Sequence, residues 1–198
     1  SRRTPDLRSR VFLERAQTRK YEEYAYVLDF VTRGKSTTVR GRDGIIVTAL
    51  GEERLTILEL LAIPNSTFEI GERVYIGKEG RTKILSVLGR LEYSQISSSA
   101  QSELLGVVEK IVTHNEQRFV DYLNNAQPLT PRIHALELIP GIGKTYMKSM
   151  LAERETRKFT DFKDLQERVG LKEPIKQIAK RIIEEITGET RMNLFVRR

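Results

Sequence analysis

The 198-residue chain is 39% hydrophobic and 31% charged with a net charge of +7, a globular balance that excludes a wholly disordered chain and admits anionic partners. It has no cysteine, and its two histidines, His114 and His134, are far apart in sequence, which excludes disulfides, thiolate chemistry and a metal site built on closely spaced histidines. No apolar run approaches a membrane span and the first residues lack the apolar stretch of a secretory signal, so a cytoplasmic, non-membrane protein is expected.

Residues 1–20 hold seven basic and two acidic side chains and are expected to form a flexible basic arm. A first strand is predicted over 24–30. Arg40, Gly41, Arg42, Asp43 and Gly44 make a turn, and Ile45, Ile46 and Val47 supply β-branched residues for a second strand. After another turn at 50–53 a third strand covers 54–63 and ends at Pro64 and Asn65. Two more extended runs cover 71–77 and 83–88, joined by a hairpin loop in which Gly80 can take positive φ. About five short strands must curl on themselves to bury one face, so residues 21–94 are expected to form a small β-barrel, OB-like (oligonucleotide-binding) or SH3-like.

After Ser97, Ser98 and Ser99 the apolar period changes. Leu104, Val107, Val108, Ile111, Val112, Phe119, Val120 and Leu123 recur at helical spacing, which predicts a helical connector over 95–128 with Ser98 or Ser99 as its N-cap. Residues 129–190 then read as all-helical, so the fold class is α+β.

The sharpest signal in the helical half is Ile139-Pro140-Gly141-Ile142-Gly143-Lys144, set between a helix over 131–138 and one over 144–155. Gly141 and Gly143 permit a tight turn and the close approach of a phosphate, while Ile139 and Ile142 anchor the loop between the helices. The amides at the start of the second helix, reinforced by its dipole, then form an anion site. Lys144 and Lys148, four apart on one face, suit successive phosphate oxygens and read no base. A second unit of the same shape follows: a helix over 159–169 with Thr160 or Asp161 as cap, a turn at Gly170, Leu171 and Lys172, and a closing helix over 175–186 that starts after Pro174 and stops at Gly188.

The glycine-flanked turn resembles the hairpin of the helix-hairpin-helix superfamily, and its doubling is similar to the tandem form found in branch-migration and excision-repair proteins. The resemblance implies a phosphate-binding turn at Gly141, Ile142 and Gly143, with Lys144 as the first helical contact. Lys172 stands where the second turn would carry its second glycine, which favours a packing role for that turn, with Lys172 acting through its side chain. The whole order of elements is also similar to an archaeal family of unknown function, DUF655-like, whose members are described as nucleotide- or RNA-binding.

Two catalytic readings are set aside. Lys144 and Asp161 resemble the lysine and aspartate of hairpin-bearing DNA glycosylases, but Asp161 sits where a helix cap belongs and lacks that family's local context. Gly141-Ile142-Gly143-Lys144-Thr145 ends like a Walker loop without its length or its leading strand. The expectation is therefore a non-catalytic binder of RNA or DNA with no cofactor and no metal, and the alternative is a protein-interaction or scaffolding module. In the β domain, Lys78, Arg81 and Lys83 around the last hairpin, and Arg40 and Arg42 at the opposite turn, are the expected phosphate contacts, with Tyr75 and Tyr93 as candidate stacking platforms.

Overall fold

The computed structural model describes residues 21–198, so the arm expected at 1–20 lies outside the described residues. The architecture is mixed α+β. Strands β1 (Tyr24–Lys35), β2 (Asp43–Gly51), β3 (Ile57–Ala62), β4 (Arg73–Tyr75) and β5 (Ile84–Leu91) form one sheet in the order β4-β1-β2-β3-β5. Every pairing in it is antiparallel. Register shifts interrupt the β1–β2 ladder at Val27/Asp29 and Val31/Gly34, and the β3–β5 ladder at Glu59/Leu60 and Leu61/Ala62. Such bulges bend and twist a strand, and the sheet curls into a half-barrel whose edges, β4 and β5, are not hydrogen-bonded to each other as strands.

Strand alternation divides the apolar residues between two cores. Ala25, Val27, Val47, Ala49, Leu58 and Leu60 gather on one face with Phe68, Val74, Ile76 and Ile84. Tyr26, Leu28, Leu50, Ile57 and Leu91 belong to a separate cluster that they share with the helices. Because side chains alternate along a strand, a one-residue slip would exchange the two sets, so burial on both faces fixes the register.

Five helices follow among the described residues: α1 (Ser98–His114), α2 (Glu116–Asn125), α3 (Lys144–Thr156), α4 (Phe162–Val169) and α5 (Pro174–Thr187). The cap of α1 is Ser97, one residue before the expected pair, and its hydroxyl accepts the Ala100 amide at 3.0 Å. The connector is two helices rather than one. The Asn115 side-chain amide donates to the Ile111 carbonyl at 2.9 Å and to the Glu52 carboxylate at 3.0 Å, closing α1 against a turn of the sheet.

The helix expected over 131–138 shrinks to a single 3-10 turn, Ala135–Leu138. The Thr130 hydroxyl accepts the Arg132 and Ile133 amides at 3.3 and 3.0 Å, a local alternative to helical bonding. The chain instead makes a tight loop, with the Leu129 amide donating to the Ile133 carbonyl at 2.8 Å and a bridge between Pro128 and His134. His134 is buried and caps the 3-10 turn through Nδ1, which accepts the Leu136 amide at 3.1 Å.

The shared core runs from the sheet through α1 into α3, α4 and α5, and takes in Leu194, Phe195 and Val196. Nothing in the sequence marked this terminal strap. It is held by Glu185, 1% exposed, whose carboxylate accepts the amides of Leu194, Phe195 and Val196 at 2.9, 2.9 and 3.0 Å and the Arg181 guanidinium at 2.8 Å. A buried charge persists only when its lone pairs are filled in this way. No helix among the described residues is long and apolar enough to cross a membrane.

Candidate functional site

Gly143 is the N-cap of α3, in extended conformation and with no side chain to accept the first helical amides. The first bond back into the cap runs from the Met147 amide to the Gly143 carbonyl at 2.9 Å. The amides of Gly143, Lys144, Thr145 and Tyr146 therefore have no acceptor among the described residues, as the first turn of any helix dictates. Ile139 and Ile142 are buried, and the Ile142 amide donates to the Ile139 carbonyl at 3.0 Å. Lys144 and Lys148 are exposed and form no ion pair among the described residues.

Gly141 has φ +80°, and a Cβ there would stand 2.8 Å from the Gln177 side chain. Gln177 belongs to the first turn of α5, so the two hairpin turns lie side by side and the glycine is required twice over, by its backbone and by its neighbour. Gly143 differs: a Cβ built on it meets nothing within 4 Å.

The second turn has other chemistry. Gly170, at φ 78°, ends α4 in the left-handed conformation, and Leu171 is buried. Glu173, at φ 51°, is the N-cap of α5 and Pro174 is its first residue. Proline removes one amide and Glu173 brings a carboxylate to the helix start, so this turn offers fewer donors than the first. Lys172 is exposed beside it. Asp161 is the cap of α4, accepting the Asp164 amide at 2.7 Å. Asp164 in turn accepts the Thr160 amide and pairs with Arg168, which hold its carboxyl below the usual range.

The β4–β5 loop engages two of its three basic side chains internally. The Arg81 guanidinium donates to the carbonyls of Ile76 at 3.0 Å, Gly77 at 2.7 Å and Leu85 at 3.0 Å, tying the end of β4 to the start of β5 across the open side of the half-barrel. Lys83 donates to the Thr67 carbonyl at 2.7 Å and pairs with Glu72 at 2.9 Å. Lys78 is exposed, 5.4 Å from the Tyr21 ring centroid. Tyr75 packs edge-on to Tyr24, and Tyr93 is partly buried against the helical core. Among the described residues no hydrogen bond, ion pair or ring contact joins the hairpin residues to these sheet residues. No group of three or more His, Cys, Asp or Glu that could hold a metal occurs among the described residues.

Residues 21–197, which take in every element described above, match a family model whose description is "Protein of unknown function (DUF655)". The chain belongs to this family. It is similar to the uncharacterized protein MJ0038 of Methanocaldococcus jannaschii, 43% identical over 178 residues that make up 90% of this chain and 80% of that protein. It is also similar to the crystal structure of Af1531 from Archaeoglobus fulgidus, at 37% identity and a TM-score of 0.79, covering 89% of this chain and 100% of that one.

What sequence reasoning missed in this DUF655 chain is a set of buried carboxylates. Glu52 accepts Arg73 at 2.9 Å and Asn115 at 3.0 Å. Glu22 accepts the Glu53 and Arg54 amides, and burial pushes its carboxyl above the usual value against those two bonds. Glu59 is cradled by the β1–β2 loop. Only Glu59 had a visible signal, a lone charge within the apolar run Ile57-Leu58-Glu59-Leu60-Leu61.

Proposed function

We propose that this protein is a non-catalytic nucleic-acid-binding protein that holds a phosphate backbone on the Gly141-Ile142-Gly143-Lys144 turn, the first of two helix-hairpin-helix units. The observation that carries the reading is the row of amides from Gly143 to Tyr146 without acceptors among the described residues, beside two exposed lysines, over a turn pinned by buried Ile139 and Ile142. Such a row favours an anion through its hydrogen bonds and the dipole of α3 together. The second unit positions the first, since Gln177 abuts Gly141 while Pro174 and Glu173 weaken its own attraction for phosphate. The half-barrel is read as a small OB-like or SH3-like module. Its support is five short antiparallel strands curled around one apolar face, an architecture that serves many functions. A cytoplasmic location is part of the same reading.

The test uses Gly143→Val together with Lys144→Glu, because position 143 has room for a side chain and both sites are exposed. Calorimetric titration of a random-sequence duplex should show affinity falling by more than about tenfold, and the slope of log affinity on log salt falling by about one for each phosphate that a lysine no longer neutralises. Unchanged affinity in a variant with the parent's thermal unfolding would sink the reading. One observation favours a protein-docking role instead: Leu129 and Ile133 are 39% and 42% exposed on the tight loop before the hairpin. Leu129→Ser with Ile133→Ser would then abolish partner capture and leave nucleic-acid binding intact.

A further inference from the structure

The β1–β2 hairpin carries Arg33, Lys35, Arg40 and Arg42, with Asp43 as the one acidic residue of the stretch 33–43. All four basic side chains are exposed, and none forms an ion pair or a side-chain hydrogen bond among the described residues. Even Asp43, opposite Lys35 in the β1–β2 register, forms no ion pair with it. Arg73, Arg81, Arg168 and Arg181, by contrast, are each bound to carbonyls or carboxylates of the chain.

The loop that bears these cations is braced from below. Glu59, 2% exposed, accepts the Ser36 hydroxyl, the Thr37 amide at 2.9 Å, the Thr38 amide at 3.3 Å and the Thr38 hydroxyl at 2.9 Å. Burial alone would raise this carboxyl, but the four donors hold it below the usual carboxylate range. The loop also rests on β5, where a Cβ built on Gly89 would stand 3.1 Å from Thr38. A loop fixed in this way loses little conformational freedom when it binds.

Beside the finger opens a groove of about 860 Å³. Ile45, Leu61, Pro64 and Leu85 give it apolar walls, and Arg42, Asp43 and Asn65 stand among its polar residues, Arg42 being the one of the four cations that lines it. Leu85 is 53% exposed and lines this groove. The occupant must bring negative charge at intervals to the finger and a compact apolar group to the slot. A duplex hides its bases, a bilayer needs a plane rather than a slot, and an acidic peptide bearing an apolar side chain is the competing occupant that the experiment below tests. An unstacked nucleotide in a single strand meets both demands.

We infer that the groove beside the β1–β2 finger binds single-stranded nucleic acid, an unstacked base against Pro64 and Leu85 and the flanking phosphates on Arg33, Lys35, Arg40 and Arg42. The inference rests on the nucleic-acid reading above but on other residues, and of the two basic turns expected to meet phosphate it keeps the β1–β2 one, since Arg81 and Lys83 of the other are engaged. The slot has no aromatic platform, so its sequence preference is weak.

The experiment titrates the full chain with a fluorescent oligouridylate and a random-sequence DNA duplex at several salt concentrations. In the variant Arg33→Glu, Lys35→Glu, Arg40→Glu and Arg42→Glu, oligouridylate affinity should fall by more than about thirtyfold and its salt slope by about 3, the value for four phosphates on a single strand. Duplex affinity should change less than about threefold, since the α3 turn is untouched. Leu85→Ser should weaken oligouridylate by about fivefold with an unchanged salt slope, because it removes apolar contact and no charge. If the reversed variant fails to fold, Arg40→Ala with Arg42→Ala asks the same question with about half the slope change. Wild-type oligouridylate affinity in a folded variant, or equal losses on both probes, overturns the inference. So does tighter binding of phosphatidylserine vesicles or polyglutamate than of oligouridylate, lost in the same variant. Failure of the α3 reading shows separately, as a Gly143→Val, Lys144→Glu protein whose duplex binding is intact.

Discussion

The β1–β2 and β4–β5 loops look alike as sequence, each short, glycine-containing and basic, yet the fold treats them in opposite ways. On the β4–β5 side the half-barrel leaves strand-end carbonyls without ladder partners, and the Arg81 guanidinium collects those of Ile76, Gly77 and Leu85. On the β1–β2 side a buried carboxylate, Glu59, satisfies the loop's amides and hydroxyls, so the arginines have nothing local to do. The count of basic residues therefore says little about which are available to a ligand. What decides it is where the backbone has unmet acceptors, because buried polar groups must be paired and a guanidinium has five donors with which to pair them.

Breaking the β4–β5 side should have the largest effect. Arg81→Ala strips charged donors from three carbonyls and is expected to cost about 2–3 kcal/mol in urea unfolding; a loss below about 0.5 kcal/mol, the range of inert surface changes, would erase the contrast. Glu59→Gln comes next, at about 1–2 kcal/mol, since the new amide donates where the loop needs an acceptor. The pH dependence follows from the direction of its shift. Glu59 is held below its ordinary value of 4.5, so its contribution is complete above that value and disappears as pH falls through the lower folded one. An acid titration of stability should lose that portion of its fall in Glu59→Gln, and parallel curves for the two proteins would place the loop's support elsewhere.

Lys83→Ala should cost less, about 0.5–1 kcal/mol, because the lysine is 38% exposed and water screens its pair with Glu72. Smallest of all in stability, Arg40→Ala with Arg42→Ala should leave the unfolding free energy within about 0.5 kcal/mol of the parent. A larger loss would mean that the finger's cations, like those of the other loop, support the fold.

Much of the secondary structure was legible because local chemistry alone decides it. All five strands were placed by their apolar residues, although β1 runs on to Lys35 beyond the apolar stretch 24–30. Asp161 caps α4 and Gly188 closes α5 in the left-handed conformation, each as its side chain or lack of one requires. The features that escaped have distant partners. Asn115 breaks the connector because Glu52, far off in sequence, is there to be reached. Residues 194–196 are apolar but too few to show a period, and only Glu185, which accepts their amides, reveals their place. At the candidate site the sequence placed the Gly141 turn and the exposed Lys144 and Lys148. It had no means of showing that Gln177 presses on Gly141, or that Arg81 and Lys83 are occupied. Arg33 and Lys35 lay unremarked inside a strand, and only the bracing of their loop by Glu59 gives them a common purpose.

The apolar cluster that joins Tyr26, Leu28, Leu50, Ile57 and Leu91 to the helices also bears on where the chain can be divided. A gene fragment for the sheet alone would expose that row of large side chains, and one for the helices alone would expose the matching face of α1, each a patch that invites aggregation. Sheet and helices therefore form one unit of expression, and cutting the chain between Leu91 and Ser98 leaves neither half a surface that water tolerates.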